Sequence, residues 1–550
     1  MVTIVPPFAT NSCSARTPSS PMPPRYSGRT LDADVVLHMP LPSLVHGDDP
    51  GADLDNFCRL LASGKHVITT VGYMYPKVYG DEVMGRLTEA CELGGVTFHD
   101  ARGVPVIPRS RKAGAVLGYL ALTERLQELV AARVQAARLY AKAGAASILY
   151  AMGITQHTTG VANVMSCANL QMLLGNMGVP GGGVNPLRGQ NNVQGACDMG
   201  GLPNVYPAYQ QVVNDEVRLK FETAWGTPLS PTLGKTVTEM IPSIPEGKIK
   251  ALYILGENPV MSDPDSNHIR HCLEQLDFMV LQEIFPSETS HFADVMLPGV
   301  TFAEKDGTFT NTERRVQMVR QAIPAIGDAR MDWEITSEIA NRVLELGSRK
   351  IDKNAPYGGW KYTSPEQIMA EVASVAPSYA GVTYDRLNNG EQLQWPIKSQ
   401  EHAGTPILHV GQFTRGKGLF AVTEHIPPFE LPDKEYPVLL STGRVLYHWH
   451  GGEMTRRAKG LMEVYGESLI EVNPEDAQKL GINGNRRVRV TSRRGSIEAE
   501  AWVTDRVPSG MVYANFHFPE VPANELTVAA LDPIAKIPEY KVCAVKVELA

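Results

Sequence analysis

The chain has few cysteines, and they are scattered. The two nearest neighbours among its seven cysteines, Cys167 and Cys197, stand 30 positions apart (197 − 167). The sequence therefore contains no Cys-x-x-Cys pair and no closely spaced run of the kind that binds an iron–sulfur cluster. An odd number of isolated cysteines is typical of reduced thiols in a reducing compartment, which favours a cytoplasmic protein.

Long apolar runs and an excess of positive charge are also absent. No stretch approaches the roughly 18 consecutive apolar residues of a transmembrane helix, so no membrane span is expected. The formal net charge of −8 leaves no basic excess for binding phosphates, and no nucleic-acid partner is expected. Residues 1–30 carry Pro and Ser where a secretory signal would need apolar residues, which again favours the cytoplasm.

Composition divides the 550 residues into five regions. Residues 1–30 are predicted to be disordered, because they are rich in Pro and Ser. Residues 31–103 and 122–345 alternate short apolar strands with helices, which indicates α/β domains with parallel sheets. Residues 346–435 are rich in turn residues and are predicted to be a connector. Residues 436–550 show the alternating strands of a closed or sandwich-like β domain, so the fold class is α/β followed by a β-barrel-like domain.

Residues 31–103 weakly resemble part of a dinucleotide-binding domain. The predicted strands "DADVVLHMP" and "KHVITT" flank a predicted helix, in the order found in dihydrodipicolinate-reductase-like dehydrogenases. The opening strand and its Gly-x-Gly-x-x-Gly loop, which would hold a pyrophosphate, are missing. This segment is therefore predicted to be a partial Rossmann-like unit.

Polar loops follow several of the predicted strands in residues 122–345. They contain "GITQH", "GQNN", "GENP" and "PSET". In open parallel sheets the loops at the carboxyl ends of the strands form the ligand crevice. Any one such loop is explained by ordinary turn chemistry. Together they predict one shared site for a large polar ligand.

Seven stretches resemble the catalytic subunit of molybdopterin-dependent formate dehydrogenases, which are dimethyl-sulfoxide-reductase-type molybdoenzymes. The resemblance covers residues from about 122 to 550, and the stretches follow one another in the family's order. They are "YAMGITQHTTGVANV", "LLGNMGVPGGGVNPLRGQNNVQGACDMG", "LGENPVMSDPD", "FPSETSHFADVMLPG", "EKDGTFTNTERRVQ", "STGRVLYHWHGGEMTRR" and "IPEYKVCAVKV".

The resemblance implies a cofactor of molybdenum (or tungsten) held by two molybdopterin guanine dinucleotides. Such a ligand requires many backbone amides, carboxamides and hydroxyls. The residues implied near one dinucleotide are Met152, Gly153, Gln156, Gly256, Glu257, Asn258, Phe285 and Thr289, with His157, Gly189, Gln190 and Asn191 also in contact with the cofactor. Those implied near the other are Thr442, Arg444, His448, His450, Asn524, Tyr540 and Lys541.

Arg188 is the candidate catalytic residue. The resemblance implies that it lies beside the metal and binds the carboxylate of formate. Its planar guanidinium can donate two parallel charge-assisted hydrogen bonds to a small carboxylate. Without the resemblance, composition alone would favour an exposed arginine in a loop.

Histidines in these stretches have alternative interpretations. His157 could be a metal ligand, but a hydrogen bond to backbone or cofactor is favoured. His448 and His450 would point the same way on a strand, yet no third ligand stands nearby in the sequence, so contact with pterin or phosphate is favoured. No metal ligand is predicted from this chain.

Two features of the family are missing from the sequence. Family members begin with a domain whose cysteines bind a [4Fe–4S] cluster, and they carry a Cys or selenocysteine followed by His that ligates molybdenum. Here no cysteine is followed by His. The chain is therefore expected to be an incomplete formate dehydrogenase catalytic subunit, whose partners would be formate and electron-transfer subunits with iron–sulfur or flavin centres. The alternatives are a catalytically silent or artefactual fusion that binds molybdopterin, and an NAD(P)-dependent reductase that uses residues 31–103.

Overall fold

The computed structural model describes the backbone of residues 35–38 and 66–69, and residues 135–347, 350–484 and 486–550. The predicted disorder of residues 1–30 and most of the predicted Rossmann-like segment lie outside these residues. The chain divides into two compact units. One comprises Met1–Ser147 and Leu173–Gly183, and the other comprises Ile148–Met172 and Val184–Ala550.

The first unit contains two short parallel strands. Strand β1 (Val35–His38) pairs with β2 (His66–Thr69). Both strands fall within the stretches predicted as strands in residues 31–103. In the same unit the turn before Gly183 closes with a 2.8 Å hydrogen bond from Gly183 N to Asn176 O.

The second unit contains all the remaining strands. In chain order they are β3 (Ile148–Tyr150), β4 (Val184–Pro186), β5 (Val205–Tyr206), β6 (Gln210–Gln211), β7 (Ala251–Leu255), β8 (Phe278–Glu283), β9 (Val295–Pro298), β10 (Gly307–Thr310), β11 (Val316–Val319), β12 (Val438–Gly443), β13 (Leu469–Val472), β14 (Arg487–Thr491), β15 (Ser496–Val503), β16 (Met511–Asn515), β17 (Val528–Leu531), β18 (Pro538–Glu539) and β19 (Cys543–Leu549).

Its described α-helices are short, and four of them have 11 to 15 residues. They span Met152–Thr155, Gly160–Leu173 (whose last residue is assigned to the first unit), Val193–Asp198, Asp215–Trp225, Val237–Met240, Pro259–Ser262, Ser266–Leu273, Asp332–Leu346, Pro365–Val375, Tyr384–Asn388, Lys459–Val464 and Pro474–Lys479. No helix among the described residues is both long and apolar enough to cross a membrane.

The α/β part contains parallel sheets, as predicted. Strand β3 pairs in parallel with β4, and β7, β8 and β9 form a three-stranded parallel sheet. The helix Ser266–Leu273 covers the second sheet, and its Cys272 and Leu273 are buried with Met279 and Leu281 of β8. Because strands in a parallel sheet end at the same edge, the loops that follow β7 and β8 come close together.

The region predicted as a connector contains a core of its own. The helix Pro365–Val375 begins at Ser364, whose side chain accepts a hydrogen bond from Gln367 N. Beyond that helix, Tyr379 and Ile397 are fully buried and pack in a cluster with Val316 of β11. Residues 365–397 therefore pack against the α/β domain.

The C-terminal region forms a closed barrel with the strand order β12–β16–β13–β15–β14–β19. Buried and more exposed residues alternate along β15, as expected for a strand with one face in a core. The barrel interior contains Leu440, Ile470, Val488 and Val490, which are all fully buried. The prediction of a closed or sandwich-like β domain after the α/β domain is confirmed, and the closed form is the one observed.

Candidate functional site

A large cavity lies in the second unit. Its volume is about 1130 Å³, which exceeds the roughly 300–1,000 Å³ of ordinary small-molecule sites. Of the predicted site residues, those that line it are Met152, Gln156, Gln190, Asn191, Gly256, Glu257, Asn258, Thr442, Arg444, His450, Asn524 and Tyr540. Segments that lie almost 400 residues apart in the chain thus line the same cavity.

Three of the four polar loops predicted to share a site do line this cavity. The loop after β3 contributes Gln156, the loop after β4 contributes Gln190, and the loop after β7 contributes Gly256. Gly256 has φ +66°, a left-handed conformation that glycine adopts readily and that turns the chain sharply at the strand end.

Asn258 lines the cavity, but its side-chain amide is already fully hydrogen-bonded. Its Nδ2 donates to Glu288 Oε2 and Glu453 Oε1, both at 2.8 Å. Its Oδ1 accepts from Thr289 N at 3.2 Å and Thr289 Oγ1 at 2.7 Å. An amide offers two donor hydrogens and two lone pairs, and all four are used in these bonds. Asn258 therefore holds the cavity wall in place through contacts within the protein.

The fourth loop lies behind this wall. Thr289 is fully buried beneath Asn258. The ring of Phe285 lies under the guanidinium of Arg457, whose carbon is 4.3 Å from the ring centroid. Neither Phe285 nor Thr289 is among the residues that line the cavity.

The barrel contributes the opposite side of the cavity. Thr442, near the end of β12, donates from Oγ1 to the carbonyl of Tyr540 at 2.8 Å. Tyr540 Oη donates to Ser262 O at 2.8 Å. Lys541 Nζ donates to Thr442 O at 2.5 Å and does not line the cavity. These contacts tie the barrel to the short helix that follows the β7 loop.

Arg444 is the principal cation on the barrel side. Its guanidinium lies 4.9 Å from the centroid of the Phe516 ring and has no hydrogen-bond partner among the described residues. Burial, and then the positive charge of Arg444, lowers the pKa of His450 to about 4 and that of Lys541 to about 8. His450 is therefore neutral near pH 7, and Arg444 remains available to bind an anion.

His448 does not line the cavity, unlike His450. Its Nδ1 lies 3.1 Å from Thr455 Oγ1 and its Nε2 lies 2.6 Å from Tyr465 O. The two histidines lie beyond the end of β12, in a turn that gives His450 a positive φ of 45°. They therefore lack the strand geometry that would direct both side chains the same way.

His157 joins two distant segments. Its Nδ1 lies 2.7 Å from Glu539 Oε1, and its Nε2 lies 3.0 Å from the carbonyl of Gly153. Glu539 is buried and also accepts hydrogen bonds from Thr158 N and Oγ1, both at 3.1 Å. His157 and Gly153 do not line the cavity. Of the two kinds of hydrogen-bond partner expected for His157, backbone and cofactor, the backbone partner is present at Gly153, and the other ring nitrogen pairs with the Glu539 side chain.

Arg188 lies in the loop after β4, immediately before the cavity residues Gln190 and Asn191. Its backbone N donates to Thr312 Oγ1 at 3.0 Å, and its Nη2 donates to Gln194 Oε1 at 3.4 Å. Its Nε is buried and has no hydrogen-bond partner within the described part of the chain. Neither Arg188 nor Gly189 is among the lining residues.

Several lining residues were not predicted from the sequence, and Asp263 is the most notable. Burial, opposed by a hydrogen bond from Ser262 and reinforced by Glu257, raises the pKa of Asp263 to about 7. Asp263 belongs to the quoted stretch "LGENPVMSDPD", so its position in that stretch was the available signal. Others of this kind are Asn192, Cys197, Asp332, Glu453 and Lys536.

The cavity wall fits a large ligand with both donors and acceptors. Asp263 Oδ2 and Asn524 Oδ1 are buried in the wall and lack a partner in the described chain. Buried polar atoms are normally hydrogen-bonded, so these two oxygens are expected to accept hydrogen bonds from a ligand. Arg444 supplies a cation for a phosphate, and the donor and acceptor set therefore matches a pterin dinucleotide. By contrast, no cluster of three or more His, Cys, Asp or Glu that could hold a metal occurs among the described residues.

Comparisons with known proteins agree with this geometry. The family model described as molybdopterin oxidoreductase matches residues 46–342, and the one described as molydopterin dinucleotide binding domain matches residues 438–544. Among solved structures, acetylene hydratase from Pelobacter acetylenicus resembles the chain with a TM-score of 0.54 and 15% identity, over 76% of this chain and 62% of that one. At that identity the likeness concerns the fold alone.

Curated relatives match the same part of the chain. The F420-dependent formate dehydrogenase 1 subunit alpha of Methanococcus maripaludis is 48% identical over 419 residues, 76% of this chain and 60% of its own length. The corresponding subunit of Methanocaldococcus jannaschii is 49% identical over 76% of this chain and 60% of its own length. Formate dehydrogenase H of Escherichia coli is 38% identical over 75% of this chain and 57% of its own length.

The chain thus spans about 60% of the length of these relatives. The first family model alone covers more than half of the 550 residues, and the second covers the barrel on the other side of the cavity. With the parallel sheets, the closed barrel and the cavity between their loops, these matches show that the chain belongs to the molybdopterin oxidoreductase family.

Proposed function

We propose that this chain is the cofactor- and substrate-binding part of a formate dehydrogenase. The reaction oxidises formate to carbon dioxide and releases one proton and two electrons. The observation that carries the proposal is Arg188, fixed beside the cavity by Thr312 with its Nε unpaired. The relatives that are 48–49% identical and named formate dehydrogenase subunits support the same substrate.

Arg188 would bind formate through its guanidinium. Formate has no side chain, so two oxygens and one negative charge are all that a site can recognise. Two parallel N–H donors of a guanidinium match a carboxylate in spacing and charge. The unpaired Nε of Arg188 supplies one of these donors, and its Nη groups supply the other.

The cavity would hold the pterin dinucleotides. Asp263 and Glu257 offer carboxylate acceptors for the N–H groups of a guanine edge, and Arg444 offers a charge for a diphosphate. A bound molybdenum centre would supply the acceptor for the two electrons of formate. Gln190 and Asn191 follow Arg188 closely in the chain and line the cavity, where they would orient the two ligands.

Electron-transfer subunits with iron–sulfur or flavin centres are proposed as partners, because the two electrons need an outlet. A cytoplasmic location remains a proposal that rests on the scattered cysteines. No observation within the described residues favours NAD(P) binding by residues 31–103.

Metal and pterin analysis is the first test of this function. Purified protein should contain molybdenum or tungsten, and should release a fluorescent pterin after oxidation. A protein that contains neither, expressed in a host that makes the cofactor, would contradict the proposal.

Formate-dependent dye reduction is the second test. Arg188→Ala should lower kcat/KM for formate at least about 100-fold, because each hydrogen bond to a charged group contributes about 1.5–3 kcal/mol. Arg342→Ala is the matched control, since its side chain is 71% exposed and pairs only with Glu338. A molybdenum-containing wild type without formate activity would indicate a catalytically silent molybdopterin-binding protein.

A further inference from the structure

A short helix places two polar side chains behind Arg188. The helix Val193–Asp198 carries Gln194 and Asp198 four residues apart, hence on one face. Gln194 Nε2 donates to Asp198 Oδ1 at 2.7 Å. Gln194 is 7% exposed and Asp198 is 0% exposed, so water does not compete for this hydrogen bond.

The carboxylate decides which way the Gln194 amide faces. An ionised carboxylate only accepts hydrogen bonds, so the amide must turn its Nε2 towards Asp198. The same Nε2 donates to Tyr209 Oη at 3.1 Å. The amide oxygen therefore faces the other way, where Arg188 Nη2 lies 3.4 Å from it.

Asp198 is itself held from the opposite side. Tyr379 Oη donates to Asp198 Oδ2 at 2.5 Å, and the same hydroxyl lies 3.1 Å from Thr310 Oγ1. Tyr379 is fully buried in the cluster that joins β11 to the helix Pro365–Val375. The position of the carboxylate is thus set by the core and not by a flexible surface group.

Burial and the neighbouring polar groups act on the Asp198 carboxyl in opposite directions. Burial raises the pKa of Asp198, while hydrogen bonds from Tyr379, Tyr209 and Gln194, followed by the positive charge of Arg188, oppose that rise. No acidic side chain is hydrogen-bonded directly to Arg188 among the described residues, so Gln194 separates the carboxylate from the guanidinium. A direct ion pair would occupy the donors that a substrate carboxylate needs.

We propose that Asp198 is a positioning residue that acts through Gln194 to orient the guanidinium of Arg188 for a small carboxylate. The carboxylate fixes the amide, and the amide oxygen takes one Nη2 donor. The backbone of Arg188 is fixed by Thr312, and the unpaired Nε and the other Nη donors remain for the ligand. The identity of that ligand as formate rests on the proposed function.

Chemical modification tests the orientation without any need for activity. Phenylglyoxal reacts with arginine, and mass spectrometry measures its rate at Arg188. Gln194→Met and Asp198→Asn should each raise that rate several-fold, because the guanidinium loses its anchor. The double variant should react no faster than Gln194→Met, since Asp198 acts only through Gln194. Unchanged rates in both single variants, or additive effects in the double variant, would overturn the proposal.

A matched control separates positioning from a general loss of stability. Glu371 is also buried and accepts hydrogen bonds from Trp225 Nε1 and Tyr362 Oη in another network. Glu371→Gln should lower the melting temperature without changing the rate at Arg188. If Asp198→Asn does not fold, Tyr379→Phe removes one hydrogen bond from the same carboxylate and should raise the rate in the same direction.

Formate separates this inference from the proposed function. Formate should slow the modification of Arg188 in the wild type, and the lack of such protection would refute formate as the ligand while leaving the variant comparison intact. In the active enzyme Gln194→Met should raise KM for formate about tenfold, with a smaller change in kcat. An unchanged KM in an enzyme that formate does protect would overturn the positioning role alone.

Discussion

Asp263 is a buried carboxylate with one oxygen that no described residue satisfies. The sequence placed Asp263 in the stretch "LGENPVMSDPD" but did not distinguish it from the neighbouring Asp265, because its significance depends on burial and on the cavity it lines. Asn258 illustrates the converse. The sequence predicted it to contact a ligand, and the structure places it on the wall with all four hydrogen-bonding positions taken by protein.

The raised pKa of Asp263 predicts a pH-dependent stability. Between about pH 4 and 7 the cofactor-free folded protein keeps a proton at Asp263 that the unfolded chain has released. The free energy of unfolding should therefore fall as the pH rises through that window, by roughly 4 kcal/mol at most from this group at about 1.36 kcal/mol per pKa unit. Urea unfolding at pH 5 and 7.5 measures the fall.

Asp263→Asn should remove this contribution, so that the free energy of unfolding depends less on pH. Asp328→Asn, at an exposed position, is the control and should leave the dependence as in the wild type. If the free energy of unfolding changed with pH equally in Asp263→Asn and the wild type, the Asp263 carboxyl would have the same pKa in the folded and unfolded states.

At the scale of elements, the loops after parallel strands form the site. The polar residues and glycines of these loops were identified from the sequence. Parallel pairing of the strands explains why the loops meet at one edge of the sheet. The contacts that hold these loops in place could not be predicted from the sequence. The His157–Glu539 pair joins the loop after β3 to β18, across 382 positions of the chain.

Glu539→Gln should destabilise the protein by about 1–3 kcal/mol. The buried carboxylate accepts three hydrogen bonds from His157 and Thr158, and an amide cannot accept from all three with the same charge. Chemical denaturation gives the change in free energy of unfolding. Glu548→Gln, which disrupts only the exposed pair with Lys546, should change it by less than about 0.5 kcal/mol. Similar losses of unfolding free energy in both variants would show that the buried His157–Glu539 pair stabilises the protein no more than an exposed ion pair does.

At the scale of the whole molecule, one cavity is lined by residues from Met152 to Tyr540. A ligand that fills it would contact both the α/β domain and the barrel. Its binding free energy therefore adds to the stability of the folded chain, because the unfolded chain has no such site.

Removal of the cofactor should lower the melting temperature by several degrees. A ligand present at about 100 times its Kd stabilises the folded state by about 2.7 kcal/mol. Calorimetry of protein from molybdate-replete and molybdate-starved cells makes the comparison. Arg444→Ala should reduce the difference, whereas the exposed Arg489→Ala should preserve it. Equal melting temperatures for preparations that differ in molybdenum content would contradict the cavity as the cofactor site.

The sequence by itself determined the parallel α/β character, the closed or sandwich-like β domain that follows it, and three of the polar loops that line the cavity. These features follow from local periodicity, turn residues and long ordered motifs, which are properties of neighbouring residues. Only the tertiary structure decided which polar groups are free to bind a ligand. The amide of Asn258 and the ring of His448 are hydrogen-bonded within the protein, while Asp263 Oδ2 and the guanidinium of Arg444 have no partner among the described residues. The sequence could not show this distinction, because it depends on partners that lie far away in the chain.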